Sequence, residues 1–264
     1  MKYELKARAI SRTAMLLFIV LTVAILAGYM YSSRISSIMV YTPPTIQPLL
    51  EVAIGEYERV NPNVRIQFIA GATGALLARV EMTGTGDILI TADHEYMVKA
   101  MERGLVYNDT VRVLSYAIIA LIVPKGNPAG VKSLDDLVVK NVRIGIADPK
   151  TAPFGRMAVE LLVKNGIYDM VRERLVVYSD VGQVARQVSL GLVDVALLPH
   201  VIHYVYEKDT DIVWLNASQL PRVSCQMVAV LRTTKNYGEA VRFLDFLVEF
   251  TTSSEYAARR GYVG

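Results

Sequence analysis

SYAIIALIVP, from Ser115 to Pro124, is the stretch on which the reading of the fold depends. It is uncharged and apolar throughout its core and gives way to the loop KGNPAG at residues 125–130, so it reads as a long strand. Working outward, β-branched runs alternate with segments of helical period. The candidate strands are Arg65 to Ile69, Asp87 to Thr91, Ile118 to Val123, Val142 to Ile146, Leu175 to Val177, Val195 to Leu198, Ile212 to Leu215 and Met227 to Leu231. Candidate helices lie near 46–59, 74–82, 94–103, 155–165, 181–191, 201–207, 236–250 and 253–260. Strands separated by helices predict an α/β chain with mostly parallel sheets covered on both faces. The long run at 115–124 and a second at Val223 to Leu231 predict a double crossover between two lobes, with a hinge near 113–120 and 222–228. Lobe I is expected over 35–117 and 225–264, and lobe II over 118–224.

The composition narrows the class. With 264 residues, 53% hydrophobic and 20% charged, the chain has material for packed cores and is neither disordered nor fibrous. The formal charge of +3 is concentrated at the start, where Lys2, Lys6, Arg8, Arg12 and Arg34 face only Glu4. Taking these five bases and one acid from totals of 28 and 25 leaves 23 and 24, which argues against a nucleic-acid partner. Cys225 is the sole cysteine, so no intramolecular disulfide and no cysteine metal cage can form; a small buried apolar residue at a strand start is expected there.

Ala14 to Tyr31 reads AMLLFIVLTVAILAGYMY, without a charge. As a helix it would span roughly 27 Å, close to a bilayer's hydrocarbon thickness. The bases before it orient the N-terminus to the cytoplasm and the rest outside. Its length and the lack of a small-x-small cleavage site favour a signal anchor over 1–34, uncleaved, rather than a secretory signal that is removed.

Four segments share a polar or glycine-rich turn after a strand, opening a helix: Thr42 to Thr45, Gly71 to Gly74, Asp148 to Gly155 and Ser179 to Gly182. The first N–H groups of a helix lack internal partners and carry the positive end of the macrodipole, so such turns bind anions. Thr45 and Thr73 add hydroxyl donors, and Gly71, Gly74 and Gly155 permit close approach of backbone. Each turn alone is ordinary capping chemistry; four together predict an anion site.

Several motifs then carry a resemblance: GATGALLA at 71–78, DILITAD at 87–93, PKGNPAG at 124–130, SLDDL at 133–137, IADPKTAPFGRMAVELL at 146–162 and FLDFL at 243–247. In order and spacing, from Ile38 to Val263, the chain resembles the molybdate-binding proteins of ABC importers. The resemblance implies a bilobal type II periplasmic-binding-protein fold, two mixed, mostly parallel sheets joined by a two-strand hinge. It also implies capture of molybdate or tungstate for a permease and its ATPase by a monomeric receptor at the extracytoplasmic face of the membrane, with no cofactor. Carried over by motif, the ligand donors are the hydroxyls of Thr45 and Thr73 and the backbone of Phe154 and Val181, with Pro44, Gly74, Gly155 and His200 as secondary positions. Where many members place a tyrosine, this chain reads Leu198-Pro199-His200. His200 would supply a pH-dependent N–H there, or else cap the following helix or face solvent. Pro43 and Pro44 remove two backbone donors from the first turn.

Two rivals stand beside this reading. An enzyme acting on anions would need a nucleophile or base, yet His94, His200 and His203 are the only histidines, and no nucleophile elbow or P-loop occurs. A receptor of the same fold for sulfate, phosphate or an organic anion is the second.

Overall fold

The computed structural model describes residues 15–24 and 35–262. Residues 15–24 form helix α1, with mostly exposed side chains. The rest of the apolar segment expected over 14–31 lies outside the described residues, and among these no helix is long and apolar enough to cross a membrane.

From Ser36 the chain alternates strand and helix. β1 (Ser36–Thr42), α2 (Gln47–Val60), β2 (Val64–Ala70), α3 (Thr73–Thr83), β3 (Ile88–Thr91), α4 (His94–Glu102) and β4 (Arg112–Ala117) come first. Then follow β5 (Ile119–Pro124), α5 (Leu134–Val139), β6 (Ile144–Ala147), α6 (Pro153–Lys164), α7 (Tyr168–Val171), β7 (Leu175–Tyr178), α8 (Val181–Ser189), β8 (Val195–Pro199), α9 (Val201–Val205) and β9 (Thr210–Val213). The chain closes with β10 (Ser224–Val230), α10 (Tyr237–Ser253) and α11 (Glu255–Arg259).

Two five-stranded sheets result, ordered β2-β1-β3-β10-β4 and β7-β6-β8-β5-β9. SYAIIALIVP is therefore two strands rather than one: β4 ends at Ala117 in the first sheet, β5 starts at Ile119 in the second, and Ile118 alone makes the passage. The chain returns through residues 214–223 into β10. In each sheet two pairings are parallel and two antiparallel, which corrects the expectation of mostly parallel sheets. The cause is the double crossover. β5 and β10 each enter a sheet from the other side and run against both neighbours, while the remaining four strands of each sheet share one direction.

The cores follow from side-chain periodicity. On one face of the first sheet Ile38, Val40, Ile88, Ile90, Val228 and Val230 pack with Leu49 and Leu50 of α2 and Phe243 and Leu247 of α10. Their alternates Tyr41, Leu89 and Ala229 meet Leu76, Val80 and Met97 of α3 and α4 on the other face. The second sheet is buried against α6 and α8, where Val181, Val184, Ala185 and Val188 form one helical stripe. Each fully buried side chain of this size contributes roughly 1.5–3 kcal/mol. Local signals set the helix starts: Asp93 and Asp180 cap α4 and α8, Ser133 and Asp136 form a capping box on α5, and Pro153 occupies the first turn of α6. Cys225, in β10, is half-buried rather than buried.

Candidate functional site

The four turns lie where β1, β2, β6 and β7 end and α2, α3, α6 and α8 begin. In the first, Pro43 and Pro44 have no N–H, and the Pro43 carbonyl accepts from Ile46 and Gln47 at 3.0 and 3.3 Å. Thr42 Oγ1 donates to the same carbonyl at 3.3 Å, which leaves Thr45 as the turn's other polar side chain. Thr45 is buried, and its Oγ1 accepts from Gln226 Nε2 at 2.8 Å. Thr73, also buried, opens α3, and its Oγ1 accepts from the Ala92 N–H at 3.2 Å. A hydroxyl has one hydrogen. With an N–H already seated on each oxygen, both threonine hydrogens are directed away from those donors, and no protein acceptor for either is found among the described residues.

The second-sheet turns contribute backbone instead. Val181 is the first residue of α8 and Phe154 the second of α6, so their N–H groups have no intrahelical partner. Gly155 lets α6 start hard against its own strand, since a Cβ there would lie 2.2 Å from the Ala147 carbonyl oxygen. Asp148 shapes the turn by accepting from the Thr151 and Ala152 N–H groups at 3.2 and 2.8 Å.

These turns meet in two pairs across the space between the sheets. The Gly74 N–H donates to the Thr151 carbonyl at 3.0 Å, and any side chain at Gly74 would strike that oxygen at 2.8 Å. A side chain at Gly182 would meet Pro44 Cβ at 3.3 Å. Ala72 and Ala92, from the first-sheet half, join the apolar cluster of the second. Ion pairs flank the contact: Glu95 with Arg156 at 3.2 Å, and Arg222 bridging Asp93 to Glu160. Thr45, Thr73, Phe154 and Val181 are each 5% exposed or less. A cavity of about 380 Å³ borders the Pro44–Gly182 pair, with Gln47, Glu51, Gln183 and Arg186 among its walls. Thr45, Thr73, Phe154 and Val181 do not line it.

One expected position lies elsewhere. His200 sits at the passage between the sheets, where its backbone N–H donates to the Ile118 carbonyl at 2.9 Å and its Nδ1 accepts from the Ile118 N–H at 3.3 Å. Its Nε2 is 3.0 Å from the Gly261 carbonyl. In the tautomer this demands, neither ring nitrogen has an N–H left for a ligand, and the ring does not cap α9. His200 is also buried, so the readings of it as a ligand donor, a helix cap and a solvent-facing side chain are all corrected.

The sequence profile of the bacterial extracellular solute-binding proteins matches residues 38–253. The chain belongs to that family. Among its relatives is the molybdate-binding protein ModA of Rhodobacter capsulatus, 25% identical over 218 residues, which cover 82% of this chain and 84% of the relative. The periplasmic molybdate-binding protein of Azotobacter vinelandii superposes with a TM-score of 0.73 at 18% identity, over 86% of this chain and 99% of its own. The sulfate-binding protein SubI of Mycobacterium tuberculosis gives 0.71 at 16% identity, over 86% of each chain. At these identities the structural likenesses establish the fold alone.

Several polar groups of this solute-binding protein escaped the motif reading. Thr91, at the carboxyl end of β3, is fully buried with no partner for Oγ1 among the described residues, and Gln226 likewise has none there for Oε1. Arg156 stacks over Tyr96 at 5.3 Å, and its Nε and Nη2 are buried without an aligned acceptor although Glu95 lies within ion-pairing distance. A glutamine at an inward position of SCQMVAV was the available signal for Gln226, and Thr91 is the fifth residue of the quoted DILITAD. The groups that would serve an enzyme are dispersed. His94 is half exposed beside Asp93, His203 bonds Thr210, and among the described residues no three metal-ligating side chains gather.

Proposed function

We propose that this solute-binding protein closes on one tetrahedral oxyanion, molybdate or tungstate, and delivers it unchanged to an ABC permease driven by its ATPase. The observation that carries the reading is the pairing of opposed turns. Two hydroxyl hydrogens on one side and helix-start N–H groups on the other are supplied without a cation in direct attendance. Such neutral donors surround a small dianion and are aimed in advance by the helices, so little is reorganised on binding. The relative named as molybdate-binding supports the choice of anion. Lobe I is residues 35–117 with 225–264, and lobe II is 118–224. The apolar segment over 14–31 anchors the monomeric receptor at the extracytoplasmic face.

Calorimetric titration of the protein with molybdate, tungstate, sulfate and phosphate tests this. One-to-one binding of the first two at micromolar concentration or below, with sulfate and phosphate much weaker, is expected. Equal response to all four would remove the metal-oxyanion assignment, and preference for sulfate would make the protein a sulfate receptor.

A further inference from the structure

Gln226 is an amide in the wrong company unless it has a task. It lies on the face of β10 that also carries Val228 and Val230, is fully buried, and a buried amide is costly unless bonded. Its Nε2 donates to Thr45 Oγ1 at 2.8 Å, and its Oε1 has no partner among the described residues. The register between β10 and β4 shifts between Gln226 and Met227 because Leu114 of β4 is the extra residue, so the alternation of β10 is unbroken and Gln226 keeps its inward direction. Gln226 also sits at the same end of the first sheet as Ala92, whose N–H is on Thr73 Oγ1.

Resting on the oxyanion reading of the site, we propose that Gln226 is a positioning residue that fixes the direction of the Thr45 hydroxyl, so that its hydrogen is offered to the anion. The amide N–H occupies a lone pair of Oγ1, and the single hydroxyl hydrogen swings to the other side. The backbone N–H of Ala92 does the same for Thr73, which makes Gln226 the side-chain counterpart of a backbone device. The reverse amide orientation would make Thr45 donate to Oε1 and withdraw its hydrogen from the ligand. The two arrangements predict opposite mutational results.

The test measures molybdate affinity of the full-length protein, in detergent, between pH 8 and 5.5, for wild type, Gln226→Glu, Gln226→Leu, Thr45→Ala and the double variant Gln226→Leu/Thr45→Ala. An ionised glutamate accepts the Thr45 hydrogen and sets a negative charge beside the anion, so Gln226→Glu should bind about 100-fold more weakly at pH 8. As pH falls, the buried glutamate, whose pKa burial raises, gains a proton and can donate to Oγ1 again, so affinity should recover while wild type stays level. Gln226→Leu should weaken binding about tenfold, and no further once Thr45 is alanine. A structural role alone would give an equal loss from Gln226→Leu with or without Thr45, and that result overturns the inference; so does a loss in Gln226→Glu that does not recover as pH falls. Tighter binding by Gln226→Leu would establish the reverse orientation and overturn it as well. Should Gln226→Glu fail to fold, the cycle with Thr45 decides alone. Wild type that binds molybdate while the variants match it refutes only this inference, whereas wild type that binds no oxyanion refutes the functional reading on which it rests.

Discussion

The turns of the first sheet and those of the second supply donors in different ways. In the proposed site Thr45 and Thr73 offer hydroxyls, which rotate and so need a second group to aim them, and Gln226 and the Ala92 N–H are the donors bonded to these oxygens. Phe154 and Val181 offer backbone N–H groups, which the helix itself points. The lesson is that a side-chain donor brings a supporting partner, while a backbone donor depends on close packing of its turn. Damage to the second kind should therefore act through the fold, and damage to the first through affinity.

The largest effect is expected where backbone packing is tightest. Gly155→Val would drive a side chain into the Ala147 carbonyl and should cost more than about 3 kcal/mol of stability, read as a large fall in Tm. A Tm near that of wild type would mean that α6 can shift from its strand, and with it the Phe154 N–H. Next is the pair of Asp93 and Arg222. Asp93 is fully buried, caps α4 and accepts from Ser224, so Asp93→Ala leaves Arg222 with only Glu160 and should cost about 3 kcal/mol in chemical denaturation. Thr45→Ala and Thr73→Ala should each weaken oxyanion binding by about 1–3 kcal/mol, as titration of each variant would show, and should lower Tm less than Gly155→Val does, each leaving one buried donor, Gln226 Nε2 or the Ala92 N–H, without its acceptor. Equal loss of stability in these two variants would erase the distinction between the two kinds of donor.

The smallest effect belongs to the passage between the sheets. Burial lowers the pKa of His200, and its Nδ1 is an acceptor for the Ile118 N–H, so the folded state favours the neutral ring. A folded value below the unfolded one of about 6.5 gives stability that is complete above that pH and is lost as pH falls through the folded value. Tm should be level above neutrality and decline on acidification. His203 titrates in the same direction for the same cause, so the contribution of His200 is the part of the acid slope that His200→Gln removes. An unchanged slope in that variant would assign the effect to His203.

Much of this was legible in the chain. Runs such as ILIT at 88–91 and the stripe of α8 announce buried elements by period alone, and the four turns stand out because strand, turn and helix are adjacent in sequence. β1 was implied only by the turn that follows it and had no bounds, because SSIMVYT carries only Ile38 and Val40 on its inner face and follows the apolar N-terminal run. α5 was not expected, because six residues hold less than two helical turns. Antiparallel pairing of β5 and β10 depends on which sheet each strand joins, and local pattern does not carry that. Nor does it carry the bond between Thr45 and Gln226, 181 positions apart, or the engagement of His200 by Ile118 and Gly261. Residues whose role is set by neighbours in sequence were readable, and those set by distant partners were not.

A crystal of the protein grown with tungstate, measured at the tungsten absorption edge, tests the central claim most directly. The account predicts one strong anomalous peak between the paired turns, its oxygens within hydrogen-bond reach of Thr45 Oγ1, Thr73 Oγ1 and the N–H groups of Phe154 and Val181. A peak in the cavity beside Gln47 and Arg186, or none between the turns at saturating tungstate, would contradict it.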